Sequence, residues 1–287
     1  GPEAQQLAIY IGWLMHKTIG GLIAGLLFIL PSFFILAGLG VVYMQYGDLP
    51  SVQSLFNGIK PAVVAIVLFA AHRIGSRTLK HPLLILIAAL SFIGILFFKL
   101  PFPLIVLLAA MIGWVASHFQ PQAFKAATHK ASQHTEHLPA IIDDDTPIPE
   151  HAKYKLSRLL KTLTLGLAIG GLAFYLLVQA FGFDDLLSQT ALFFTKAALL
   201  TFGGAYAVLP YVYQGAVEHY HWISATQMMD GLALGETTPG PLIMVITFIS
   251  FVSGWVNHAL PNTSLWISGL ATAGVATFFT LDRKSVV

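Results

Sequence analysis

The sequence predicts an all-α fold: a polytopic helical membrane protein with two homologous halves of inverted topology and discontinuous helices. Three observations predict it. Only 28 of the 287 residues are charged, 15 Lys and Arg against 13 Asp and Glu, while 56% are hydrophobic; ordinary soluble domains are about 25% charged. The apolar residues fall into stretches near the roughly 20 needed to span a bilayer core. Clusters of Gly and Pro interrupt those stretches in both halves of the chain, as in proteins whose helices break at membrane depth.

The same composition excludes other classes. There is too little polar surface for a soluble enzyme of this size. A formal net charge of +2 provides no phosphate-tracking surface, so no nucleic acid is expected as a partner. With no cysteine, disulfides, zinc–thiolate sites and thiol catalysis are ruled out.

Taken in order, Leu7 to Met15 is apolar but short and ends at His16-Lys17. Ile19 to Tyr46 is long enough to span and carries Pro31, which predicts a kink. Gly47-Asp48-Leu49-Pro50 closes it as a turn. A span from Phe56 to Ala71 stops at the basic group His72, Arg73, Arg77, Lys80 and His81. Pro82 to Phe98 and Pro103 to Val115 form a helical hairpin turned at Lys99 to Pro103.

Between His118 and Lys161 lie 11 of the 28 charges and 5 of the 11 histidines, with the acidic run Asp143-Asp144-Asp145. This reads as a soluble linker. Its histidines are irregularly spaced, so a solvated loop is favoured and no metal site is assigned. The organisation predicted is a first membrane half at 1–117, a cytoplasmic linker at 118–155 and a second half at 156–287.

The second half opens with a span from Leu163 to Phe181, ended by Asp184-Asp185. Ala191 to Pro210 is apolar but holds Lys196 and the pair Gly203-Gly204. Tyr211 to Trp222 is aromatic and polar, the composition of an interfacial segment. Ala225 to Leu234 carries Asp230 and runs into the breaker cluster from Gly235 to Pro241. Two apolar segments follow, Leu242 to Val256 and Leu265 to Leu281.

If 191–215 and 225–257 each cross the membrane once, 12 of the 15 basic residues fall on the linker's side, which the positive-inside rule makes cytoplasmic. Asp48, Lys60 and Asp184 then fall outside. A repeat supports the two halves. Gly1-Pro2 and Gly240-Pro241 each precede a short helix, and Gly21-Leu22 and Gly269-Leu270 each open a long apolar one. On this topology the two long helices run in opposite directions, the mark of an inverted repeat.

The breaks are the candidate sites. Freed N–H groups at a half-helix N-terminus suit an anion. The substrate-binding candidates are therefore Gly1, Pro2, Lys196, Phe202, Gly203, Gly204, Thr238, Pro239, Gly240 and Pro241. Pro lacks an N–H, so Gly240 and the residues after Pro241 are the expected donors. Gly and Pro also serve close helix packing, and that reading stays open beside the functional one.

Lys196, Asp230 and Glu236 lie in or beside apolar segments, where a charge costs about 2.5–3.5 kcal/mol on insertion scales. Lys196 precedes Gly203 by seven residues, two helical turns, so both share a face. It could supply charge to an anion, or form a structural pair with Asp230, or snorkel. Glu236, Asp230, Glu3 and Arg73 are the coupling or gating candidates. Glu236 could carry a proton, and Arg73 with Arg77 could guide anions or simply be topogenic. No Gly-x-Ser-x-Gly elbow, His-Glu-x-x-His or phosphate loop is present. No catalytic residue, metal or cofactor is assigned, and an enzyme is not expected.

At these motifs the chain resembles the chromate ion transporter family. The resembling residues are Gly1 to Ala8 with Tyr10-Ile11-Gly12, Gly20-Gly21 to Ser32, and Pro61 to Val67 with Arg73-Ile74-Gly75. In the second half they are Phe194, Lys196, Thr201 to Pro210 and Glu236 to Ile243. The resemblance implies a two-domain, multi-pass transporter of the inner (cytoplasmic) membrane that exports chromate and confers chromate resistance. It implies use of the proton gradient or exchange for sulfate, and leaves room for a homo-oligomer. Full-length members carry an earlier helix and a longer last helix, so the chain is expected to be a fragment cut at both ends. Transport of sulfate or another oxyanion is the alternative. Outside that class stand an intramembrane enzyme, with Asp230 and Glu236 as its acid–base pair, and a non-transporting membrane subunit.

Overall fold

The computed structural model describes residues 2–119, 149, 151–152, 155–200, 206 and 208–281. The chain is an all-α membrane protein. Its helices are α1 (Pro2–Tyr46), α2 (Pro50–Thr78), α3 (Pro82–Leu96), α4 (Phe102–Phe119), α5 (Leu156–Phe181), α6 (Leu186–Leu200), α7 (Leu209–Tyr213), α8 (Ala225–Thr237), α9 (Val245–Val256) and α10 (Leu265–Leu281). A π-helical turn, Gln214–His219, follows α7, and a 3₁₀ turn, Leu242–Met244, leads into α9.

Four described helices are long and apolar enough to cross a membrane: Ala4–Tyr46, Pro50–Thr78, Phe102–Phe119 and Leu156–Phe181. Their outer faces need lipid. Helix α5 buries none of its residues, and Leu165, Leu167 and Leu172 stand about 60% exposed. In water each such side chain would forgo about 1.5–3 kcal/mol of burial; against lipid tails it forgoes none.

The chain divides into two compact units, Gly1–Phe69 with Lys155–Val287 and Ala70–Tyr154. In the second, α3 and α4 form the expected hairpin. His81 caps α3, its Nδ1 accepting the Leu83 N–H at 3.2 Å. Leu100 and Ile105 sit over Gly94. The linker's acidic run and most of its histidines lie outside the described residues.

The first unit is built from fold-backs. In α1, His16 and Lys17 leave helical geometry, Lys17 at φ +55°. The segment before them packs against the segment after. A Cβ on Gly12 would lie 2.6 Å from the Gly20 carbonyl oxygen, and Ile9 lies over Gly21 and Gly25. These pairings run antiparallel. Extended to the N-terminus, they bring the start of α1 level with Pro31 and Ser32. The chain breaks where the sequence changes from apolar to His-Lys. It does not break at Pro31, through which the helix continues.

Helices α8 and α9 form a second fold-back. Gly231 lies under Phe248 and Ile249, and Gly235 under Val245, so the two are antiparallel. Tyr43, near the end of α1, hydrogen-bonds Asp230 near the start of α8. The start of α8 is therefore at the Asp48 end of the membrane. This corrects the single crossing expected of 225–257: the segment enters from that side, turns, and returns. With Asp184 placed on that side by the charge count, residues 186–223 also begin and end on one side.

Helix α10 then runs antiparallel to α9. Thr247 and Thr277 hydroxyls meet at 3.1 Å, and Gly254 admits Thr272. Helix α9 has 12 residues, about 18 Å at 1.5 Å per residue, short of the roughly 30 Å core. Residues Val245 to Gly254 are all buried. A short helix apolar on every side belongs inside a bundle. Near it Phe193 stacks on Tyr211 and Tyr220 on Trp222. Trp222 is 5% exposed, so the aromatic side of this segment packs on the core while Glu218, His219 and His221 stay exposed.

The Gly12 contact sets a prediction. Gly12→Leu forces a side chain against backbone and should cost about 1–3 kcal/mol, lowering the thermal unfolding midpoint of the purified protein in detergent. At Gly38 a Cβ would meet nothing within 4 Å, so Gly38→Leu should leave the midpoint unchanged.

Candidate functional site

The α8–α9 turn is set by local chemistry. Helix α8 starts with a closed capping box: Ser224 Oγ accepts the Gln227 N–H at 3.1 Å and Gln227 Oε1 accepts the Ser224 N–H at 2.8 Å. It ends because Pro239 disfavours helical geometry in the residue before it; Thr238 is extended, at φ −89° and ψ 143°. The threonines serve the loose carbonyls. Thr237 Oγ1 donates to Ala233 O at 3.1 Å, and Thr238 Oγ1 donates to Leu234 O at 2.9 Å. The Thr238 hydroxyl proton is thus engaged in this conformation.

Gly240 stands at φ +132°, where side chains are strained, and a Cβ there would lie 2.7 Å from Ser32. Ser32 is at the centre of the helix running from Thr18 to Tyr46, so the turn sits at mid-membrane depth. Pro241 has no N–H. The Met244 N–H donates to Pro241 O at 2.8 Å, while the Ile243 N–H finds no backbone acceptor among the described residues. No side chain caps α9. A half-helix N-terminus with an unspent donor therefore lies at the depth of Pro31-Ser32, and the start of α1 reaches that depth from the other side.

Two further polar groups belong to this level. Tyr206 donates its phenolic O–H to Glu236 Oε1 at 2.6 Å, tying the segment after α6 to the last turn of α8. Gln5 is 1% exposed, and neither of its amide atoms has a partner among the described residues. A buried unpaired amide costs about 1–3 kcal/mol, which is the mark of a group kept for a ligand or for water.

The remaining charges lie elsewhere. Asp230 Oδ1 pairs with Lys60 Nζ at 3.0 Å, and their side chains are 4% and 31% exposed. Asp230 Oδ2 accepts the Tyr43 O–H at 2.9 Å. The pair considered between Lys196 and Asp230 is therefore not formed. Lys196 is exposed on α6, turned away from the buried Phe194, Ala197 and Ala198. The Lys60–Asp230 pair floors an open cavity of about 430 Å³.

Of the expected site residues, the structure brings Thr238, Pro239, Gly240, Pro241 and Glu236 together. Asp230 stands apart from them, nearer the start of α8. Arg73 is exposed on α2 and belongs to the second compact unit. Gly1, Phe202, Gly203 and Gly204 lie outside the described residues, as do the side chains of Pro2 and Glu3. Sequence reasoning missed Gln5, Ser32, Tyr43, Lys60 and Tyr206 as site residues. Lys60 and Gln5 carried a signal, each being polar beside apolar sequence; Ser32 and Tyr206 lay within the resembling motifs without a role assigned, and Tyr43 carried no signal.

Removing Lys60 orphans a buried carboxylate. Lys60→Ala should therefore lower stability by about 3 kcal/mol, read as the thermal midpoint in detergent. Lys60→Ala with Asp230→Ala should recover most of that loss.

Comparison with known proteins follows the same motifs. A family model described as chromate transporter matches residues 1–114 and 188–281. A chromate transport protein of Cupriavidus metallidurans is 28% identical over 280 residues, covering 97% of this chain and 58% of that protein. A chromate transport protein of Pseudomonas aeruginosa is 31% identical over 258 residues, covering 88% and 54%. An uncharacterized transporter of Methanocaldococcus jannaschii is 27% identical over 272 residues, covering 93% and 60%. The chain thus spans under two thirds of the length of these relatives. No solved structure matches.

Proposed function

The chain belongs to the chromate transporter family, and from that premise we propose that it serves secondary export of chromate across the cytoplasmic membrane, in a protein that confers chromate resistance. One observation carries the reading: a half-helix N-terminus at mid-membrane without a side-chain cap, with the Ile243 N–H group unspent among the described residues. Chromate is a tetrahedral dianion. Free backbone N–H groups and the positive end of a helix dipole are what such an ion needs at a depth without water.

The two fold-backs support an inverted repeat. Residues 2–15 run from mid-depth toward one face, and α9 runs from the same depth toward the other. Their N-termini then address one midplane site from opposite sides, as in transporters that alternate access around a fixed ligand. Gln5 adds amide donors at this level, and Gly240 keeps the backbone open beside Ser32.

Glu236 is the coupling candidate. A carboxylate beside the site repels a dianion while ionised and stops repelling it once protonated, so anion and proton favour one another there. Sulfate shares the charge and shape of chromate and is the alternative substrate. Lys196, exposed on α6, would act on the anion only through a conformation that turns its face to the pathway.

Chromate flux in proteoliposomes carrying the intact protein tests the reading. Gly240→Leu should reduce flux by about two orders of magnitude, since a group misplaced by an ångström costs that much. Glu236→Gln should leave flux insensitive to an imposed pH gradient. Flux that survives Gly240→Leu intact refutes the midplane site, and sulfate flux without chromate flux selects the alternative substrate.

A further inference from the structure

We propose that the cavity floored by Lys60 and Asp230 is a second oxyanion site, centred on the Lys60 ammonium, in which the Asp230 carboxylate stands in for the anion. The inference rests on the transport reading and adds a binding station on the Asp48 side of the midplane. Helix α2 presents Gln53, Asn57 and Lys60 to the cavity, at spacings of four and three residues that keep them on one face. Two amides and an ammonium form a column of donors. Across from them, Asp230 places one oxygen 3.0 Å from Lys60 Nζ and the other 2.9 Å from the Tyr43 hydroxyl. Those are the contacts that two oxygens of a tetrahedral anion would make.

The exposures fit an exchange of partners. Lys60 is open to the cavity and Asp230 lies beneath it, at 31% and 4% exposed. An anion arriving through the opening meets the ammonium first. A volume of about 430 Å³ holds a tetrahedral dianion with part of its hydration shell, at about 30 Å³ per water. The dianion carries twice the charge of the carboxylate and attracts Lys60 more strongly.

Displacement leaves Asp230 buried without its cation, a cost that the anion's contacts with Lys60, Asn57 and Gln53 must exceed. Lys60 from α2 and Tyr43 from α1 face Asp230, with Asp48 at the rim of the cavity. The α9 residues packed on this part of α8, Phe248 and Ile249, are apolar, and its own-helix cavity neighbours Thr226 and Gln227 are uncharged. Lys60 is thus the cation that faces Asp230 in the cavity.

Sulfate is the probe, and its binding to the intact purified protein is measured by calorimetry. Lys60→Gln should weaken binding about tenfold or more, the loss of one charge-assisted contact, and Lys60→Arg should retain it. Asp230→Asn should tighten binding several-fold, since it removes the carboxylate that competes for Lys60. Should Lys60→Gln fail to fold, Asp230→Asn decides alone, since a purely structural ion pair gives no gain in affinity when its carboxylate is neutralised. Binding unchanged in Lys60→Gln, or Asp230→Asn without tighter binding, overturns the proposal. Sulfate binding retained in Gly240→Leu and lost in Lys60→Gln supports it. Binding lost only in Gly240→Leu overturns this site and leaves the transport reading standing. Absence of any oxyanion flux from the parent protein sinks the transport reading, while sulfate binding at Lys60 remains separately measurable.

Discussion

A helix that ends halfway across a membrane leaves backbone donors and acceptors where water cannot reach them. The first unit of this protein is organised around that constraint. At the end of α8 the acceptors are served locally, by Thr237 and Thr238 bonding back onto Ala233 and Leu234. At the start of α9 nothing serves the donors in the same way. The asymmetry is a matter of residue choice. A Ser, Asp or Asn at the start of α9 would have capped it, but Met244 stands there. The carbonyl end of the break is closed by side chains, and the start of α9 carries no side-chain cap.

Keeping such a break buried requires tight packing, and glycine supplies it. Without water, membrane helices associate by van der Waals contact and close backbone approach. Gly12 against Gly20, Gly231 against Phe248 and Gly254 against Thr272 each pin one arm of a fold-back to the next element. The last two bring α9 against α8 and α10, and α1 packs on it as well. The long exposed helices, α5 above all, face lipid and contribute span, not enclosure.

Much of this was legible in the sequence, and the rest was not for identifiable reasons. The shortage of charge and the lengths of the apolar stretches set the fold class. The Thr237–Pro241 cluster marked the break, because Gly and Pro act through local backbone geometry. Crossing number was not legible: 225–257 has the length and hydrophobicity of one span, and only the pairing of Gly231 with Phe248 reveals a return. Pro31 leaves α1 helical, whereas Lys17 provides the reversal by adopting positive φ. The partner of Asp230 was also hidden. Lys196 and Lys60 are equally plausible by residue type, and their distance from Asp230 is a property of tertiary packing.

The few charges that remain in this unit have a common arrangement. Asp230 and Glu236 lie on one helix six residues apart, about 9 Å along its axis. Each accepts a hydrogen bond from a tyrosine on another element, Tyr43 of α1 and Tyr206 after α6. A hydrogen bond to a charged acceptor is worth about 1.5–3 kcal/mol, against about 0.5–1.5 for a neutral one. Protonating either carboxylate therefore loosens the tie between α8 and the element that holds it. The same event withdraws negative charge from the level of the membrane where it occurs. Helix packing and local charge are joined at both levels through the same oxygen atoms, so a change of charge at either one acts on α8 without a relay between distant sites.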